Sequence, residues 1–122
     1  MIEEHTLTIL KSMNYIALNQ SDLEQQNQVT RWIMNKEEHA QEIQNIVSEY
    51  FLTQRIKLKD DSKESKDLYH AQLTALHNIL LDAMKCKQTI NTNNTTSLLN
   101  NLNNFVNLYF DDHGKKHLRE LN

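Results

Sequence analysis

The chain has 122 residues, with 16 acidic and 13 basic side chains and a net charge of −3. That length holds a single domain, residues 1–122, with a modest core, and the mild acidity excludes the basic surface that nucleic acid requires. There is no proline and one glycine, Gly114, too few turn formers for a sheet protein, so long helices with short links are expected.

Four segments carry apolar residues at intervals of three and four, the mark of an amphipathic helix. The first covers residues 2–19, with Ile2, Ile9, Met13 and Ile16 on one stripe and Leu10 beside it. Ser21 with Glu24 then reads as a capping box opening the next helix. That helix, residues 22–57, is the longest and aligns Val29, Trp32, Ile33, Ala40, Ile43, Ile46, Val47 and Tyr50.

A charged connection from Lys59 to Lys66 follows. The third helix, residues 66–89, places Tyr69, Leu73, Leu76, Leu80, Ala83 and Met84 on its stripe. Residues 89–97 are rich in Asn and Thr, which favour turns and caps. The fourth helix, residues 97–120, aligns Leu98, Leu99, Leu102, Phe105, Val106 and Tyr109. Eight of the seventeen residues from Asn91 to Asn107 are asparagine. They fill the gaps of the apolar pattern and are expected on the solvent face.

Four stripes joined by short links close most simply as an all-α, up-down-up-down antiparallel four-helix bundle. Its core is expected to include Met13, Trp32, Ile43, Leu73, Leu80, Phe105, Val106 and Tyr109. No run approaches the roughly 20 apolar residues of a membrane span. The opening Met-Ile-Glu-Glu-His lacks the basic and apolar regions of a signal peptide. Cys86 is the single cysteine, so no internal disulfide framework exists. A cytoplasmic protein is expected.

Four of the six histidines, His5, His39, His77 and His113, recur at intervals of 34, 38 and 36 residues. Each falls on its helix's apolar stripe, and an antiparallel chain returns to one height once per helix. For antiparallel neighbours, residues at one level average to the connecting loop. His5 with His39 averages to 22, His39 with His77 to 58 and His77 with His113 to 95, each near a connection. The four imidazoles are therefore expected to converge in the core. Glu42, three residues after His39, is the nearest carboxylate candidate, with Asp82 and His117 further polar groups. Imidazole with carboxylate suits iron, zinc or manganese.

In these features the chain resembles the hemerythrin-like, or His-His-Glu cation-binding, family of four-helix bundles. Glu3-Glu4-His5-Thr-Leu is similar to that family's first motif, and His77-Asn-Ile-Leu-Leu-Asp-Ala-Met to its internal repeat. The resemblance implies iron, singly or as a di-iron pair, or another transition metal, held by His5, His39, Glu42, His77, His113 and His117. It implies binding or sensing of oxygen, iron or redox state. This chain departs from the family where Ile43 stands four after His39 and Leu73 four before His77. DinB-like bundles give a second likeness, through His39 with the His113–His117 pair.

No glycine-rich cradle or paired nucleophile is present, which disfavours hydrolase chemistry and enzymatic function generally. Two function classes follow. One is the metal-binding bundle. The other is a small interaction module without metal, a regulator, immunity protein or phage-type inhibitor, that covers a protein partner or a second copy with a helix face. Convergent histidines distinguish the first from the second.

Overall fold

The computed structural model describes residues 1–110. Within them the chain forms four helices and no strand. Helix α1 spans Ile2–Asn19. A 3-10 turn, Leu23–Gln25, leads into α2, Gln26–Asn45, which runs on as a π-helical segment, Ile46–Arg55. Helix α3 spans Lys63–Gln88 and α4 Asn93–Tyr109. No helix among the described residues is long and apolar enough to cross a membrane.

Glu3 and Glu4 occupy the first turn of α1, where negative charge complements the free N–H groups. Thr6 and Ser12 lie on its buried face and stay satisfied by donating to the carbonyls of Ile2 and Thr8. Asp22, rather than Ser21, caps the next turn, accepting from the Glu24 N–H at 2.9 Å. The cap therefore begins one residue later than the Ser21–Glu24 pattern suggests.

Contacts between α1 and α2 pair His5 with His39, Ser12 with Asn35 and Tyr15 with Trp32. One number rises as the other falls, the order of antiparallel neighbours. Between α2 and α3 the Lys36 ammonium donates to the carbonyls of Lys87 (3.0 Å) and Thr89 (2.8 Å), and Gln44 reaches the Leu80 carbonyl at 3.5 Å. Between α3 and α4, Asp82 accepts from Ser97 and Asn101, and Gln72 donates to the Leu108 carbonyl. These orders are compatible with the up-down-up-down bundle that the stripes imply.

The core runs through Ile9 and Met13 of α1, Ile43 and Val47, Leu76, Ile79 and Ala83 of α3, and Leu98 and Phe105 of α4. Of the eight expected core residues, Met13, Ile43 and Phe105 are buried, while Trp32, Leu73, Leu80, Val106 and Tyr109 are half-buried. On α3 the buried face is Ala75, Leu76, Ile79, Asp82, Ala83 and Cys86, and Met84 is 42% exposed. The helix is turned away from the Leu73–Leu80–Met84 stripe because Asp82 must reach Ser97 and Asn101 on α4. Asn101 is correspondingly half-buried rather than on the solvent face.

The π segment was not visible as a plain three-and-four pattern. Its wider turn brings residues five apart into register. Thr53 donates to the Ser48 carbonyl, Arg55 to the Tyr50 hydroxyl, and the Ile56 N–H to the Phe51 carbonyl. Phe51 turns inward against Phe105 and Tyr109, and Tyr50, expected on the stripe, turns out.

Lys36 is 3% exposed, an ammonium held at the carbonyl end of α3 where the helix dipole is negative. Burial lowers its pKa from the usual 10.5, against the raising effect of Glu37 and Cys86. Below 10.5 the unfolded chain then holds this proton more tightly than the folded one. Stability consequently rises with pH across the window between the lowered folded value and 10.5. Lys36→Met should abolish that slope in denaturation curves, and should cost about 1.5–3 kcal/mol through the lost charged hydrogen bonds. Leu76→Ala should cost about 2–5 kcal/mol, and Leu73→Ala, half-buried, clearly less in the same experiment.

Candidate metal centre

His5 sits one turn into α1, and His39 lies in the second half of α2. Both are half-buried on the seam between the two helices. Their Nδ1 atoms are 2.7 Å apart, with ring centroids 4.9 Å apart and planes tilted by 47°. At that distance one Nδ1 carries a proton and the other offers its lone pair. The His5 pKa is lowered from 6.5, first by burial and then by His39 and the N-terminal ammonium, with Glu42 and Glu4 acting in the opposite direction. The His5 ring is thus biased towards its neutral form, with charges of both signs, the N-terminal ammonium and two carboxylates, acting on it.

Two imidazole nitrogens bound to one late transition metal at about 2.0–2.1 Å, at right angles, stand about 2.9 Å apart. The observed spacing is close to that value. Glu42 is exposed, one turn beyond His39, and acts on His5 through its charge. Among the described residues, no three His, Cys, Asp or Glu side chains converge closely enough to hold a metal ion.

His77 does not join the pair. It is exposed on the outer face of α3, next in sequence to the buried Leu76 and so rotated about 100° away from it. Height separates it as well. Lys36 meets Lys87 and Thr89, and Gln44 meets Leu80. His39 is therefore level with a residue near Lys85, about eight residues or roughly 12 Å from His77. Averaging to the loop fails here because the π segment and the extended residues after it lengthen the connection. Across the short turn between α1 and α2 the same averaging places His5 and His39 together. His113 and His117 lie outside the described residues.

The remaining candidate donors are engaged or shielded. Asp82 is buried and accepts from Ser97 (2.9 Å) and Asn101 (2.6 Å). The Cys86 thiol is fully buried, and desolvation, with the neighbouring Asp82, pushes its pKa up to about 11. It stays protonated at neutral pH and offers no thiolate.

The family model for nickel-containing superoxide dismutase matches residues 1–113. The chain belongs to the nickel-containing superoxide dismutase family. No curated protein and no solved structure matches it. Membership overturns the hemerythrin-like reading and, with it, iron as the metal the family implies. The alternative of a metal-free interaction module gains no support beside it. The hemerythrin resemblance misled because helices of similar length space any recurring residue evenly, whatever direction it faces.

For a family named for nickel, the question is which residues here suit that metal. Imidazole nitrogen does, and the His5–His39 pair presents two such atoms 2.7 Å apart across a hydrogen bond. Thiolate, the softer donor, is not supplied by Cys86.

Removing either ring should cost about 0.5–1.5 kcal/mol, the net worth of one hydrogen bond. A double-mutant cycle of His5→Ala and His39→Ala should show coupling of about 0.5 kcal/mol or more, whereas His77→Ala should change stability by less than about 0.5 kcal/mol.

Proposed function

We propose that this chain is a nickel-binding, up-down-up-down four-helix bundle in which His5 and His39 hold the metal. Glu42 can approach from the next turn of α2, and water completes the coordination. The observation that carries this reading is the 2.7 Å approach of two Nδ1 atoms from different helices. Family membership supports nickel as the first metal to test. His77, exposed on the outer face of α3, has no part in it.

Helices α1 and α2 each contribute one imidazole, so the metal would tie them together at the seam. The half-buried setting leaves room for water on the solvent side. Bound there, nickel would supply a Lewis-acidic cation with positions open to small ligands. The protein's own groups set the charge around the rings through Glu42, the N-terminal ammonium and Glu4.

Equilibrium dialysis of tag-free protein against nickel chloride should give one nickel per chain. His5→Ala and His39→Ala should each abolish that binding, and His77→Ala should retain it. Glu42→Gln should weaken it. Bound nickel should also raise the thermal midpoint of wild type, because the ligand favours the folded chain. Affinity should fall as pH is lowered through the histidine range, since protons compete for the ligating nitrogens. Unchanged nickel content in both histidine variants would overturn the assignment.

A further inference from the structure

We infer that a cavity between the start of α1, the π segment and the end of α4 is a binding site for a small, uncharged, planar aromatic molecule carrying one hydrogen-bonding group. The inference is independent of the metal reading at His5 and His39.

The cavity has a volume of about 550 Å³ and opens to solvent on one side. That volume lies within the range of small-molecule sites. Its apolar lining combines the buried Ile2, Phe51 and Phe105 with the half-buried Leu102, Val106 and Phe110. The last three recur every fourth residue, which places them in one row along the end of α4. Asn103 and Asn107 form the adjoining row, and with Glu3 they make an exposed polar rim.

Phe51 reaches this cavity from the π-helical segment Ile46–Arg55. The wider turn sends Phe51 inward, edge-on to Phe105 with ring centroids 4.9 Å apart, and leaves Tyr50 outside. π-helical turns are rare and occur mostly at functional sites. Here a π segment of ten residues borders a space that the core side chains leave unfilled. Both features cost stability, and an occupant would offset that cost.

The lining also selects the occupant. Three phenylalanines border the space, and aromatic pairs favour edge-on or offset contacts at centroid distances of about 4.5–7 Å. A planar ring meets several of them at once, whereas a flexible chain would gain area alone and lose rotamer freedom. An apolar lining penalises a charge, and the Glu3 carboxylate at the rim repels an anion in particular. The amides of Asn103 and Asn107 both donate and accept, which suits a hydroxyl or carbonyl group. The ring then lies inside with its polar group at the rim.

The test uses the full chain and 2-naphthol, a bicyclic probe that is uncharged at neutral pH. Naphthalene, the 2-naphthoate anion and decanol, an alcohol of equal carbon number, are the comparisons. 2-Naphthol should bind once per chain and shift the methyl resonances of Ile2, Leu102 and Val106. The indole resonance of Trp32, packed on Tyr15 roughly 20 Å further along α1, should stay in place. 2-Naphthoate should bind more weakly by about tenfold or more. Val106→Trp, which fills the cavity from a half-buried position, should abolish binding with circular dichroism unchanged, and Leu102→Trp serves as the second filling variant. Replacing the exposed Asn103 and Asn107 together by Ala should weaken 2-naphthol by about twofold to tenfold and leave naphthalene unaffected.

Absence of saturable binding would overturn the inference, as would binding that survives both tryptophan variants. Tighter binding of decanol than of 2-naphthol would overturn it in favour of an aliphatic occupant. Nuclear Overhauser contacts from residues 111–122 to the Ile2 and Leu102 methyls in the free chain, or self-association that Val106→Trp abolishes, would do the same by making the chain itself the occupant.

Discussion

The heights at which these helices pass one another depend on where the buried Lys36 ammonium goes. An ammonium taken out of water must find strong acceptors. At 3% exposure, Lys36 finds them in the carbonyls of Lys87 and Thr89, where α3 ends. Free carbonyls at a helix end need donors for the same reason. One interaction thus answers two demands and fixes the level of α2 against α3. At the edge of the same seam, the half-buried Lys87 extends back to Gln41 and Gln44, repeating the register. Shifted by two turns, α2 would leave both the ammonium and the carbonyls without partners.

That register decides the candidate site. With α2 held at this height, His39 faces His5 across the α1 seam and passes α3 near Lys85, far from His77. A second buried group sets the rotation of α3. Asp82 accepts from Ser97 and Asn101, so α3 presents Asp82 and Cys86 inward and turns His77 and Met84 out. Two polar anchors, one cationic and one anionic, thereby separate His77 from the His5–His39 pair. Apolar packing alone would have tolerated other rotations, because the apolar residues of α3 cover more than half its circumference.

The division between what was legible in the sequence and what was not follows from these anchors. Helix α1 was legible to its ends, Ile2 and Asn19, because its apolar stripe is narrow and its flanks are polar. The His5–His39 contact was legible because only a short turn separates the two helices, which leaves little freedom in their relative height. The phase of α3 was not, since Leu73, Leu76, Leu80 and Met84 form as regular a stripe as Leu76, Ile79, Ala83 and Cys86. Only the buried Asp82 distinguishes them, and a lone aspartate in a helix reads as solvent-facing. Lys36 misleads in the same way. The π segment could have been suspected from Phe51 and Ile56, two large apolar residues five apart at the end of an otherwise regular helix.

A polar pair on a helix seam has to be satisfied within itself, and the His5–His39 contact does this by sharing one proton between two nitrogens. An arrangement that satisfies itself with a proton is also one that a metal ion can enter. An ion replacing the shared proton would keep nearly the same nitrogen spacing but would require each ring to turn, so that its lone pair points at the ion and not at the other nitrogen, a change that side-chain rotation can supply. The scaffold can therefore remain folded whether the pair holds a proton or a cation. In this respect the pair differs from a core site of four imidazoles, which would bury several unpaired nitrogens whenever its metal left. The bundle's stability rests on Lys36, Asp82 and the apolar core, so a change at this seam leaves the rest of the fold in place.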